Sequence, residues 1–220
     1  MKQSKKMIEH TLPIPSILLA VDTLVIAVND GQLRVLLVER IGSTPPLRVI
    51  PGGFVESGET CLQAAKRKLQ EETGYSSFSI HPIGIFDDIT RDQRARVISY
   101  AHIALTHKTS FPFHDGLHTS HATFFPITAL PKNIGYDHRH IIASAITYLQ
   151  DVIMHTSIAK ALLPKDFTLA QLQSVYEIIV GKALNTRNFR TKLIDEWIIK
   201  ATGKMEVGVG HRPAQYYRFG

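Results

Sequence analysis

Gly53-Phe54-Val55-Glu56-Ser57-Gly58-Glu59 and, seven residues on, Arg67-Lys68-Leu69-Gln70-Glu71-Glu72-Thr73-Gly74-Tyr75 form the most informative stretch of the chain. Leu62, Ala65 and Leu69 recur at spacings of three and four, so Thr60 to Thr73 reads as a helix, and Gly74 is a natural left-handed stop. A glycine-bearing loop precedes it. Residues three and four apart share a helical face, so positions 68, 71 and 72 point together. Three carboxylates there would give Mg²⁺ its oxygen ligands while leaving room for substrate phosphates and an activated water. Glu71 and Glu72 are two of the three, but position 68 is lysine, whose ammonium repels a cation instead of binding it. Lys68 is expected to pair with Glu71 or Glu72. The competing reading is a weakened metal site assembled from Glu56, Glu71 and Glu72.

Outward from this helix the pattern is strand-rich. Ser16 to Val28 and Gln32 to Glu39 flank Asn29-Asp30-Gly31, a strong hairpin signal, and are expected to pair antiparallel. Further strands are expected at Phe78 to Phe86, Arg96 to Thr106 and Ala122 to Ile127, then a helix at Ile141 to His155. His114, His118 and His121 have metal-like spacing, but no cysteine or carboxylate cluster supports them, and a surface loop is expected. Cys61, the single cysteine, can form no internal disulfide, which fits a reducing compartment.

The last third changes character. Thr168 can cap a helix to Val180 that puts Leu169, Leu172, Tyr176 and Ile179 on one stripe, and Gly181 ends it. Asn185 or Thr186 can cap a second helix reaching Lys200, with Phe189, Leu193 and Trp197 as its core face. Asn188, Thr191 and Lys192 lie away from that stripe, with Arg187 and Arg190 on its flanks. A helix, a short turn and a second helix with polar donors near its start suit a DNA major groove. Gly203 to Phe219 reads as a hairpin whose tip carries His211 and Arg212, placed to reach phosphate or the minor groove.

Charge follows the same division. The 220 residues carry 25 Lys plus Arg against 19 Asp plus Glu, a net of +6, of which residues 155 to 220 hold +5. A length of 220 accommodates one large domain or two smaller ones, here expected as 1–154 and 155–220. The apolar share of 44% excludes a disordered or coiled-coil chain. The longest apolar run, Ile17 to Val28, is broken by Asp22 and too short to span a bilayer, so a soluble, cytoplasmic protein with no membrane partner is expected.

The loop-helix-loop resembles the Nudix box at every fixed position except Lys68. The resemblance covers about residues 10 to 150 and implies an α/β/α sandwich, in which Glu59 and Arg67 brace the loop against the helix. Arg91-Asp92-Gln93-Arg94-Ala95-Arg96-Val97-Ile98-Ser99 resembles the segment of Nudix enzymes acting on ADP-ribose. It implies that Arg91, Arg94 and Arg96, together with Arg48, Gly52 and Gly53, bind the ligand, with pyrophosphate held without metal. With its C-terminal helices and the Arg212-Pro-Ala-Gln-Tyr-Tyr-Arg-Phe219 ending, the whole chain is similar to the Nudix-related regulators of NAD metabolism, the NrtR type. That resemblance implies an α+β protein, a degenerate Nudix sensor joined to a winged helix. It further implies a repressor that binds palindromic operator DNA as a homodimer and responds to ADP-ribose or a related nucleotide or sugar. The DNA contacts implied are Arg187, Asn188, Arg190, Thr191, Lys192, His211 and Arg212. No cofactor is required; Mg²⁺ would enter, through Glu71 and Glu72, only with residual hydrolysis. The alternative is an active Mg²⁺-dependent hydrolase of the ADP-ribose pyrophosphatase type.

Overall fold

Asp30 and Gly31 both adopt positive φ, 50° and 69°, the geometry that lets a two-residue turn match the twist of the strands it joins. It connects β1 (Leu18–Asn29) to β2 (Gln32–Arg40) with Asn29 opposite Gln32. The computed structural model describes residues 16–74, 78–109, 113, 119–195, 199–208, 210 and 212–220. After the hairpin come β3 (Leu47–Val49), β4 (Gly52–Phe54), α1 (Cys61–Thr73), β5 (Ser79–Phe86), β6 (Val97–Thr106), β7 (Thr119–Pro126) and α2 (His138–Ile153). The 3₁₀ turn Ser157–Leu162 then leads to β8 (Phe167–Thr168), α3 (Leu169–Val180), α4 (Thr186–Asp195), β9 (Ile199–Met205) and β10 (Gln215–Phe219).

The seven strands β1 to β7 form one mixed sheet ordered β3-β2-β1-β6-β5, with β4 added to β1 and β7 to β2. The central pair β1 and β6 runs parallel from Leu18 opposite Val97 to Ala27 opposite Thr106. A central strand is covered on both faces, which is why β1 reads as an almost unbroken apolar run. Leu24 and Ile26 pack with Ile141, Ala145 and Leu149 of α2, whereas Val25 packs with Leu69 of α1. The period-two alternation therefore delivers the two sides of an α/β/α sandwich. Each fully buried leucine or isoleucine contributes roughly 1.5–3 kcal/mol of transfer free energy.

The C-terminal part is a three-stranded sheet, β8-β10-β9, with α3 and α4 packed beside it. Its core is continuous with that of the sandwich: Leu149 and Ile153 belong to the same apolar cluster as Ile158, Leu162, Leu172 and Tyr176. The Gln150 side-chain amide donates to the Ile179 carbonyl at 2.9 Å, tying α2 to α3. Among the described residues no helix is long and apolar enough to cross a membrane.

Several expected boundaries are corrected. The helix after Thr186 does not reach Lys200: Ile199 and Lys200 pair with Phe219 and Arg218 in the β9–β10 ladder. Ile199 is buried there, so tertiary pairing overrides the helical spacing. Trp197 lies outside the described residues. The helix α2 starts at His138 and ends at Ile153 instead of spanning Ile141 to His155. The short strands β3, β4 and β8 carried no period-two signal of their own. His121 sits in β7, not in a loop, while His114 and His118 lie outside the described residues.

Candidate functional site

Thr60 caps α1 reciprocally with Gln63: its N–H donates to Gln63 Oε1 at 2.8 Å and its hydroxyl accepts from the Gln63 N–H at 3.3 Å. Gly74 closes the other end with φ 68°. From this braced helix Arg67 reaches back over the loop. It donates from Nε to Glu59 at 3.0 Å, from Nη2 to the Phe54 carbonyl at 3.2 Å and from Nη1 to Glu71 at 3.1 Å. Glu59 also accepts the Glu56 N–H at 2.8 Å. The Arg67 hydrogen bonds, then that backbone donor, hold the Glu59 carboxyl down to about 2. These contacts fix the loop on the helix.

Lys68 Nζ donates to Glu71 Oε2 at 2.8 Å, as expected from its spacing. Its stem lies across Gly53, where a Cβ would come within 2.6 Å of Lys68 Cε; glycine is the residue that makes room for the lysine. Against partial burial, Lys68 and Arg67 keep the Glu71 carboxyl below its ordinary range. Glu72 behaves oppositely. Burial pushes it up to about 7, and its one backbone donor, Gly52 N–H at 3.2 Å, only partly offsets this. A divalent cation needs several anionic oxygens; here Lys68 stands in place of one, Glu71 is spent on Lys68 and Arg67, and Glu56 pairs with Arg67 at 3.2 Å. No group of three or more His, Cys, Asp or Glu side chains placed to hold a metal occurs among the described residues. The residues present do not fit Mg²⁺.

Beneath the loop lies a buried polar network. Asp22, from the middle of β1, accepts the Ser99 hydroxyl at 2.6 Å and Arg91 Nη2 at 3.0 Å on one oxygen, and faces His138 Nε2 at 3.4 Å with the other. His138 Nδ1 accepts the Ile50 N–H at 2.9 Å, so the ring proton sits on Nε2, toward Asp22. Arg91 also donates to both oxygens of Asp137, at 2.9 and 3.0 Å. Burial works against the charge on Asp22, yet His138, Ser99 and Arg91 hold its carboxyl at about 2. The network joins β1, β6, the Arg91 loop and the start of α2 into one rigid floor.

Two cavities open above this floor. One, of about 670 Å³, is walled by Gly52, Gly53, Lys68, Glu71 and Glu72; the other, of about 840 Å³, by Ser43, Asp88, Thr90, Gln93 and His140. Arg40, Arg91, Asp92, Arg94 and Tyr136 line both. Arg94 Nε and Nη2 donate to Asp92 at 2.9 and 2.7 Å.

Of the expected ligand residues, the structure brings Gly52, Gly53, Arg91 and Arg94 to the cleft. Arg48 and Arg96 line neither cavity. Arg48 pairs with Glu39 at 2.8 Å and donates to the His121 carbonyl at 3.0 Å, and Arg96 donates to the Asp87 and Asp88 carbonyls at 2.7 and 3.2 Å. Asp22 was read only as a break in an apolar run; a carboxylate inside a buried strand was the available signal for the network. Arg40 carried no signal of its own.

The second site is the C-terminal surface. Thr168 and Gln171 cap α3 reciprocally, and Gly181 ends it with φ 74°. Gln173 Nε2 then donates to Glu177, to the Leu184 carbonyl and to the Thr186 hydroxyl at 2.9 to 3.1 Å, fixing the turn to α4. Asn185 Oδ1 accepts the Asn188 N–H at 3.0 Å as the α4 cap. Phe189 packs edge-on to Tyr176 with centroids 5.0 Å apart, and with Leu193 it turns Arg187, Asn188, Arg190 and Thr191 outward. Lys192 is part of α4, but its side chain, like all of His211, lies outside the described residues. Arg212 is exposed just before β10. Asp166 accepts hydrogen bonds from Lys204 and Arg218, anchoring the hairpin to the strand that precedes α3.

A family model of the NUDIX domain matches residues 18–145, and one of the NrtR DNA-binding winged helix domain matches residues 159–219. The chain is 32% identical over 211 residues to the ADPR responsive transcriptional repressor NtrR of Acinetobacter baylyi, covering 93% of this chain and 83% of that one. This chain belongs to the NrtR family. A crystal structure of Shewanella oneidensis NrtR complexed with a 27mer DNA resembles it at TM-score 0.77 and 25% identity, over 92% of this chain and 93% of that one. The NUDIX domain of the same NrtR, complexed with ADP ribose, aligns at TM-score 0.55 and 27% identity over 62% and 90% of the two chains. Both halves of an NrtR protein are therefore present here, joined through one core.

Proposed function

We propose that this NrtR-family protein is a transcriptional repressor, working in the cytoplasm as a homodimer on double-stranded operator DNA. Residues 155–220 read the DNA, and residues 1–154 sense ADP-ribose or a related nucleotide or sugar. The exposed, basic, polar start of α4 carries the reading: Arg187, Asn188, Arg190, Thr191 and Lys192 would enter the major groove, with His211 and Arg212 on the hairpin against phosphate. One such module makes too small an interface for tight specific binding, hence two copies and two half-sites about one helical turn apart. In the sensing half, Gly52, Gly53, Arg91 and Arg94 border the effector. Effector that fits one arrangement of the two winged helices better than another shifts the population and with it the operator affinity.

The protein is not a hydrolase in this reading and needs no metal, because Lys68 stands where a ligand carboxylate would be. A gel-shift titration with the DNA upstream of its own gene tests the main claim. Specific, salt-sensitive binding altered by ADP-ribose is expected; affinity equal to that for random duplex would sink it. The intact Glu59–Arg67 brace keeps Mg²⁺-dependent cleavage of ADP-ribose as the rival. Wild-type turnover near background, raised by Lys68→Glu, is expected; robust wild-type turnover abolished by Glu72→Gln would establish the rival.

A further inference from the structure

The lysine and arginine side chains around the double cleft are not equivalent. Lys68 is held by Glu71, Arg91 by Asp22 and Asp137, and Arg94 by Asp92. Arg40 alone among these cations makes neither an ion pair nor a side-chain hydrogen bond with any described residue. Its guanidinium instead lies against the Tyr136 ring, 5.7 Å from the centroid, with Arg94 also 5.4 Å from that ring.

The backbone beneath Arg40 is firmly placed. Arg40 ends β2 between two neighbours, opposite Leu47 of β3 on one side and Thr119 of β7 on the other. The Ser43 hydroxyl donates to its carbonyl at 2.9 Å and accepts the Leu47 N–H at 2.9 Å, closing the turn. Tyr136 is equally constrained: it holds a positive φ of 55°, between Gly135, whose N–H donates to the Arg48 carbonyl, and Asp137, gripped by Arg91. A strained residue kept in place by its neighbours is a common mark of a functional site. Both side chains line the larger and the smaller cavity, so they stand at the junction.

We infer that Arg40, backed by the Tyr136 ring, is the residue that grips the effector's phosphates at the junction of the two cavities. This inference rests on the sensor reading above and narrows it. A guanidinium presents five donors in a planar fork that matches phosphate oxygens, and no internal carboxylate competes for it here. An anion at the junction has a cavity on each side, which fits a molecule with a central pyrophosphate and a polar group at either end. A sugar monophosphate would fill only one side.

Calorimetric titrations of the full-length protein in EDTA test this, with ADP-ribose, inorganic pyrophosphate and adenosine as probes. Arg40→Ala is expected to weaken ADP-ribose and pyrophosphate roughly 10- to 100-fold, the range for loss of charge-assisted hydrogen bonds, and to leave adenosine unchanged. Arg40→Lys, which keeps the charge without the fork, should fall between. If Arg40→Ala proves unstable, Arg40→Gln carries the comparison, since it keeps a stem beside Tyr136. Equal ADP-ribose affinity in wild type and the Arg40 variants overturns the assignment and leaves the sensor reading standing. Pyrophosphate binding that depends on Arg40, without ADP-ribose binding, supports the assignment and removes ADP-ribose as effector. Wild type that binds neither probe overturns the assignment.

Discussion

The cleft and the α4 surface are both rich in cations, yet they handle charge in opposite ways. At the cleft almost every positive group has been matched from within: Arg91 with Asp22 and Asp137, Arg94 with Asp92, Lys68 with Glu71. On α4, Arg187 and Arg190 are exposed and make no ion pair with any described residue. Charge paired inside a fold goes into architecture; charge left without a partner is available to a ligand. The contrast explains why the C-terminal excess of +5 was visible as a sum, whereas the near neutrality of the first 154 residues concealed a dense set of ion pairs.

The comparison breaks most visibly at Asp22. Its carboxylate compensates a guanidinium whose side chain is only 4% exposed, so Asp22→Ala leaves Arg91 with Asp137 alone and strands a buried positive group. Losing one partner of such a pair costs about 3–5 kcal/mol. Urea denaturation is expected to show a loss of that size, with Asp22→Asn milder. The sign with pH follows from the lowered carboxyl: the stabilisation is complete above the ordinary value of 3.8 and disappears as pH falls toward about 2. A loss below 1 kcal/mol for Asp22→Ala would mean that the network is decoration.

Glu72 sharpens the same contrast from the other side, as the cleft carboxyl with no strong cationic partner. Its value is raised from 4.5 to about 7, so the folded state binds the proton more tightly than the unfolded chain between those limits. Stability is therefore highest below about pH 4.5 for this group and declines as pH rises through 7. The interval corresponds to at most about 3 kcal/mol. Glu72→Gln should remove this decline, so the wild-type minus variant stability, measured from pH 5 to pH 8, is expected to fall with pH. A pH-independent difference would place an ionised Glu72 in the fold at neutrality.

What could be read from the sequence was whatever local chemistry decides. The β1–β2 hairpin, α1 with its caps and α3 follow from turn residues, spacing and N-caps close together in the chain. The floor of the cleft could not be read that way, because Arg91 meets partners 69 residues before it and 46 after it. Arg48, Arg91, Arg94 and Arg96 look alike in sequence; burial and the partners each one meets, carboxylates for the first three and backbone carbonyls for Arg96, separate them. The end of α4 failed for a related reason, since Ile199 continues a helical pattern yet is claimed by the ladder to Phe219.

The smallest expected effect lies on α4, and it tests the contrast directly. Arg190 is exposed on a helix whose inner face is held by Phe189 and Leu193, so Arg190→Ala should change unfolding free energy by no more than about 0.5 kcal/mol. The same substitution should weaken operator binding by about 1–3 kcal/mol if Arg190 reads a base edge. If it holds phosphate instead, binding weakens alike on operator and random duplex, and the slope of log affinity against log salt drops by about one. Fluorescence polarisation at several salt concentrations separates these outcomes. Unchanged DNA affinity together with lost stability would reverse the assignment: Arg190 would then belong with the paired charges of the cleft, and the exposed cations of α4 would be a solvated helix face.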